Sequence, residues 1–163
     1  MRLEREIVEP RIRELYNRQT EEIRASHILI RVDRDASPAD TIAAYQKAKM
    51  VIGLIPIAIF DTLAVKFSED QSASVNKGDL GYFSAGRMVP EFEDACYQLK
   101  TGEYTLVPAR SQFGYHIIKA TGRQKSKGSV RVSHILWRFT DTSNDSLGLK
   151  DTVGMVYNQL RAG

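Results

Sequence analysis

Four side chains in this 163-residue sequence have the chemistry to act on a substrate: His27, Asp70, Cys96 and His116. His27 lies in the run Ala25-Ser26-His27-Ile28-Leu29-Ile30-Arg31-Val32, and His116 in Gly114-Tyr115-His116-Ile117-Ile118-Lys119-Ala120. Both runs are apolar and rich in β-branched residues, so each histidine is expected in mid-strand. Taken alone, a strand histidine reads as a hydrogen-bonded structural residue. Asp70 closes Ser68-Glu69-Asp70, directly after a predicted helix. A zinc site built from His27, His116 and Cys96 is disfavoured, because no pair of them has the short local spacing of zinc motifs. A Cys/His hydrolase is disfavoured too: Cys96 falls inside a helical apolar stripe, where a free cysteine behaves as a small hydrophobe, and a nucleophile belongs at an exposed turn.

These residues need elements to hold them, and the most decodable stretch is Gly78 to Phe92. Leu80, Tyr82 and Phe83 suit a strand between Gly78-Asp79 and the turn Ala85-Gly86. A helix starts near Pro90, which loses nothing by lacking an N–H at the first helical position, and Glu91, Glu93 and Asp94 complement the helix dipole. Phe92, Ala95, Cys96 and Leu99 then form one buried stripe up to Thr101-Gly102. Earlier in the chain, Ser37-Pro38-Ala39-Asp40 signals a helix running to about Val51, and a second helix spans Ile59 to Phe67. The apolar run Met50 to Phe60, interrupted by Gly53 and Pro56, reads as a helix end, a loop and a helix start. Thr105 to Val107 reads as a short extended segment stopped by Pro108, and Gly114 to Ala120 as a strand. The order strand, helices, strand, helix, strand, strand implies an α+β domain of about 100 residues, an antiparallel sheet covered by helices.

Composition narrows the function classes. Hydrophobic residues make up 42% and charged residues 26%, a soluble globular balance. The net charge of +3 comes from 23 basic and 20 acidic residues spread along the chain, and no Lys/Arg tract points to nucleic acid. The single Cys96 excludes an intramolecular disulfide. The longest apolar run, Met50 to Phe60, is too short to span a bilayer, and no signal peptide is expected in the charged start Met1-Arg2-Leu3-Glu4-Arg5-Glu6.

One repeat sets the domain organisation. Ser26-His27-Ile28-Leu29 and Arg31 return as Ser133-His134-Ile135-Leu136 and Arg138, with an Asp-containing loop and a helix-like segment after each. Residues 1–24 are therefore expected to be an N-terminal helical connector and 25–124 a complete domain. Residues 125–163 are expected to be a polar linker and the truncated start of a second copy, too short to bury a core of its own.

Six motifs carry a resemblance: Ala25-Ser26-His27-Ile28-Leu29, Phe67-Ser68-Glu69-Asp70, Gly78-Asp79-Leu80-Gly81-Tyr82-Phe83, Gly86-Arg87-Met88-Val89-Pro90-Glu91-Phe92-Glu93-Asp94-Ala95, Thr101-Gly102-Glu103 and Phe113-Gly114-Tyr115-His116-Ile117-Ile118. In this order and spacing the chain from Ala25 to about Gly122 resembles the parvulin family of peptidyl-prolyl cis/trans isomerases. The repeat and the Glu/Arg-rich start are similar to multidomain periplasmic or extracytoplasmic foldases of the SurA and PpiD type. The resemblance implies a four-stranded antiparallel sheet surrounded by helices, with no cofactor and no metal. It implies His27 and His116 as the histidine pair, Asp70 as the third catalytic position, Leu80, Met88 and Phe92 as the apolar cup for the proline ring, and Ser111 and Phe113 beside the second histidine. Its substrates would be unfolded or extended proline-containing polypeptides. The alternative is a peptide-binding chaperone module with little or no isomerase activity. A preference for phosphorylated substrates is not expected, because Asp33 and Asp35 flank Arg34 in the loop after the first strand. The Met50 to Phe60 segment departs from the family pattern, and the sequence sets no oligomeric state.

The chemistry is consistent with these roles. The barrier to X–Pro rotation, roughly 18–20 kcal/mol, comes from amide resonance, and no bond is made or broken in crossing it. A protein lowers it by binding the twisted amide better than the planar one.

Overall fold

The computed structural model describes residues 8–128, 132–136 and 146–162. The chain divides into two compact units, Met1–Gly128 and Ser129–Gly163.

The first unit is organised around the strand β1, Glu21–Arg31, whose residues from Ala25 to Ile30 are all buried. It lies inside a four-stranded sheet, paired antiparallel on one side with β2, Asp79–Ser84, and on the other with β4, Gly114–Lys125. The short β3, Ala109–Ser111, pairs antiparallel with β4 and completes the order β2-β1-β4-β3. Both faces of the sheet are covered, which explains why β1 is buried continuously from Ala25 to Ile30 instead of alternating. One face carries Ile28, Ile30 and Ile117 against Ala44, Ala48, Val51 and Ile52 of α2, Pro38–Leu54, and Phe60, Leu63 and Ala64 of α3, Phe60–Phe67. The opposite face carries Ile23, Ala25 and Ile118 with Phe83, against Phe92 and Cys96 of α5, Pro90–Gln98.

Local signals place the helices. Ser37 Oγ accepts the Asp40 N–H at 3.2 Å and Pro38 occupies the first turn of α2, as the cap motif implied. Pro56 ends that helix: it has no N–H to give and restricts Ile55 before it, so the chain tightens into a 3₁₀ turn, Ile55–Ile57, before α3. The run Met50 to Phe60 is thus a helix end, a tight turn and a helix start, with Val51 and Phe60 buried and Ile57 and Ile59 exposed.

The structure corrects several expectations. β1 begins at Glu21, so residues 21–24 of the expected connector belong to the sheet, with Glu21 opposite Lys125. The helix before it, α1, Glu9–Arg18, is tied to the domain: the Arg18 guanidinium is buried, stacks over Tyr97 and bonds Asp94 at 2.6 Å, while the Tyr97 hydroxyl donates to Arg18 O. The expected extended segment Thr105–Val107 is not a strand. Thr105 instead donates its N–H to Ile118 O and accepts the Ile118 N–H on its side-chain Oγ1, and regular pairing with β4 resumes only at Ala109, after Pro108. The one-turn helix α4, Ala73–Asn76, was not signalled by any apolar period.

In the second unit, Val132–Leu136 is exposed and lies in no strand, and the rest of the expected strand, 137–139, lies outside the described residues. The unit contains a helix, α6, Ser146–Ala162, on which Met155, Tyr157 and Leu160 are exposed. No described helix is long and apolar enough to cross a membrane.

Candidate active site

The β1–β4 register decides where the histidines meet. His27 stands opposite Ile118 and His116 opposite Leu29, so the two are diagonal neighbours on the face covered by α5. Their rings lie nearly parallel, 16° apart, with the two Nδ1 atoms 3.4 Å from each other. Phe92 drops from α5 and presents itself edge-on to both, with ring centroids 5.7 Å from His27 and 5.3 Å from His116. All three residues are buried.

Asp70 arrives by a different route. β2 stops pairing with β1 at Ser26, and the segment after α3 occupies the vacated edge: Glu69 N–H donates to Leu29 O at 2.8 Å, and Ser68 Oγ accepts Leu29 N–H at 3.1 Å. The Glu69 carboxylate extends this attachment by accepting Arg31 N–H at 2.6 Å and a bond from Lys47 at 2.5 Å. Asp70 Oδ2 then lies 2.8 Å from His27 Nε2, while its Oδ1 accepts the backbone N–H and the hydroxyl of Ser72, each at 3.0 Å. Burial by itself would lift the Asp70 carboxyl, but the bonds from Ser72 and His27 outweigh it and hold the group below its ordinary value. Gly78 anchors the other end of the motif: its carbonyl accepts the His27 N–H at 2.9 Å, and with φ +83° a Cβ there would meet His27 O at 2.5 Å.

These contacts orient the protons. An ionised Asp70 only accepts, so His27 Nε2 carries the hydrogen and, in the neutral ring, its Nδ1 is left as an acceptor. His116 Nδ1 must then donate to it, which leaves His116 Nε2 as the acceptor for the Ser111 hydroxyl at 2.6 Å. Ser111 Oγ in turn accepts the Phe113 N–H at 3.1 Å. The result is one directional chain from the Phe113 amide through Ser111, His116 and His27 to Asp70. Burial, reinforced by His27 and Arg110, pushes His116 down to about 4, so its ring is neutral near pH 7.

The apolar residues gather on the same face. Leu80, Met88 and Val89 pack against the cluster containing Phe92, Phe83 and Ile118, beside the histidines. A depression of about 460 Å³ opens next to Ser111, lined by Val89 and Pro90 together with Gln112 and the charged Arg34, Glu91 and Arg110, and by none of Leu80, Met88 and Phe92. Phe113 gives its backbone N–H to Ser111 Oγ, and its ring is 54% exposed beside the second histidine strand. Cys96 is buried on the inner face of α5, and burial raises its thiol to about 12, which removes it as a nucleophile. Among the described residues no group of three or more His, Cys, Asp or Glu is arranged to hold a metal ion. Reasoning from sequence gave Ser68, Ser72 and Gly78 no role at the site. Asp70-Gln71-Ser72 did carry a signal, the Asx-type turn in which an Asp side chain caps the backbone two residues on.

Residues 11–124 match the PPIC-type PPIase domain. The chain belongs to this family, the parvulin-type peptidyl-prolyl cis/trans isomerases. It is 40% identical over 121 residues to the foldase protein PrsA of Geobacillus kaustophilus, an alignment covering 74% of this chain and 39% of that protein. The crystal structure of the PrsA peptidylprolyl isomerase from Bacillus anthracis superposes with a TM-score of 0.57 at 38% identity, over 71% of this chain and 48% of that one. The solution structure of the parvulin of Nitrosopumilus maritimus matches with a TM-score of 0.50 at 36% identity, over 63% of this chain and 97% of that one. The parvulin domain is thus matched from end to end, while the chain spans less than half the length of the curated PrsA relatives.

Proposed function

We propose that this chain isomerises X–Pro bonds in unfolded or extended polypeptides, with His27, His116 and Asp70 as the catalytic group and Leu80, Met88 and Phe92 as the cup for the proline ring. The observation that carries this reading is the hydrogen-bonded chain from Ser111 through His116 and His27 to Asp70, lying directly beneath Phe92. A planar amide is dipolar, and twisting it localises the nitrogen lone pair and reduces that dipole. A site walled by Phe92, Met88 and Leu80, whose polar groups are already bonded to one another, solvates the planar form poorly and so favours the twisted one. Asp70 fixes the His27 tautomer and, through it, that of His116, whose Nε2 then accepts the Ser111 hydroxyl; the carboxylate acts by orienting and makes no covalent bond.

A protease-coupled assay on a short Ala-Xaa-Pro-Phe peptide tests the activity: the chain should accelerate isomerisation above the buffer rate. Binding of unfolded protein without such acceleration would favour the chaperone alternative instead. The foldase names of the relatives support a role in folding, and the resemblance to foldases of the SurA and PpiD type is the ground for proposing an extracytoplasmic or periplasmic location for the whole protein. The repeated Ser133-His134-Ile135-Leu136 supports reading residues 125–163 as a linker and the start of a second copy of the domain.

A further inference from the structure

Glu93 is a buried carboxylate in the first turn of α5, and the histidine relay makes no use of it. Its Oε1 accepts the backbone N–H groups of Arg87 and Met88, both at 2.9 Å, and its Oε2 accepts that of Gly86 at 3.0 Å. Three consecutive amides therefore converge on one charge. Taking a carboxylate out of water is costly unless such bonds replace its hydration, and here they are charge-assisted.

The direction of these bonds is informative. The N–H groups of Phe92 and Glu93 in the first turn of α5 already bond to Val89 O, each at 3.0 Å, so the carboxylate is not needed to cap them. It reaches back to the segment between Ser84 and Pro90, which belongs to neither strand nor helix and has no ladder to hold it. Gly86 turns the chain there at φ +86°. Met88, the last of the three amides, places its side chain against the Phe92 cluster.

We propose that Glu93 is a positioning residue for the proline cup: by gathering the Gly86, Arg87 and Met88 amides it holds Met88 against Phe92 and sets the cup's affinity for the proline ring. The inference rests on the reading of Leu80, Met88 and Phe92 as that cup. Glu93 itself touches no substrate. A glutamine in its place keeps one acceptor oxygen but turns an NH₂ group toward a backbone N–H, so the turn loosens without any change in the histidines.

The test is to titrate the 163-residue chain with an Ala-Xaa-Pro-Phe peptide, following amide NMR shifts for Kd, and to measure kcat and KM on the same samples below their melting temperature. Glu93→Gln should weaken Kd and raise KM by about tenfold, the scale expected for losing a hydrogen bond to a charged group. It should leave kcat within about twofold and the pH profile in place, because the relay is untouched. Its amide shifts should change at Gly86, Arg87 and Met88. Combined with Met88→Ala, it should weaken binding little beyond Met88→Ala alone, since the effect runs through that side chain. If Glu93→Gln does not fold, Glu93→Asp, one methylene too short to reach all three amides, gives the same readouts. A folded variant with unchanged Kd and KM, or an effect that adds in full to that of Met88→Ala, overturns the proposal. A wild-type chain that binds the peptide without turning it over, and binds it less tightly as Glu93→Gln, would sink the isomerase reading and leave this one standing; one that binds no proline peptide overturns both.

Discussion

The same four residues occur twice in this chain with opposite outcomes. Ser26-His27-Ile28-Leu29 lies in the middle of β1, with Ile28 fully buried and Leu29 6% exposed. Ser133-His134-Ile135-Leu136 lies in no strand, with Ile135 61% and Leu136 64% exposed. The first copy has β4 on one side, β2 and the Ser68–Asp70 segment on the other, and helices on both faces; among the described residues the second copy pairs with no strand. A strand former becomes a strand only when its amides and its apolar side chains find partners, because an isolated strand buries too little surface to offset the entropy of ordering it.

That contrast is open to attack at graded strengths. The largest effect should come from Gly114→Ala, which acts on the pairing itself: a Cβ there would sit 2.2 Å from Ile30 O at φ +142°. We expect a loss of more than about 3 kcal/mol in thermal or denaturant unfolding, as β4 is forced off β1. Next, Ile28→Ala should cost roughly 2–5 kcal/mol, whereas Ile135→Ala should stay within about 0.5 kcal/mol. Equal costs in urea titrations would mean that the second copy is packed after all.

Acid should weaken the first copy through His116. Its folded value near 4 lies below the ordinary 6.5, so the unfolded chain binds the extra proton between those values. Stability is therefore full above about pH 6.5 and lost as pH falls toward 4, by roughly 2–4 kcal/mol. His116→Gln should flatten that slope; an unchanged slope in the variant would assign it to other groups. The smallest effect expected is that of Asp70→Asn. It keeps an acceptor for His27 Nε2 while removing the charge, and should lower kcat/KM by about three- to tenfold with little change in melting temperature. Wild-type kinetics in that variant would remove the Asp70 charge from the mechanism.

Much of the parvulin domain could be read in advance from local chemistry. Ser37 and Pro38 start a helix because a hydroxyl can cap an amide and a proline needs no partner there, and Pro90 starts another by the proline effect alone, behind an uncapped Val89. The two histidine strands were visible from their β-branched runs. Other features had no local signal. That β1 begins at Glu21 depends on Lys125 and Gln124 standing opposite, and that Arg18 is buried depends on Asp94 and Tyr97, far away in sequence. Pro108 displaced the expected extended segment because pairing resumes only where amides are again available.

The sequence by itself determined the helix caps and the strand-forming runs, which follow from the preferences of a few neighbouring side chains, and its six motifs carried the resemblance that pointed to the family and the candidate site residues. The tertiary structure decided what those residues do to one another. Only the β1–β4 register, together with the seating of Ser68–Asp70 on the β1 edge, brings His27, His116, Asp70 and Ser111 into one chain of hydrogen bonds and so selects their tautomers. Only packing turned Glu93 from an ordinary helix-start acid into the acceptor for three amides. Hydrogen bonds between residues distant in sequence depend on relative position, and position in a sheet is a property of the whole fold.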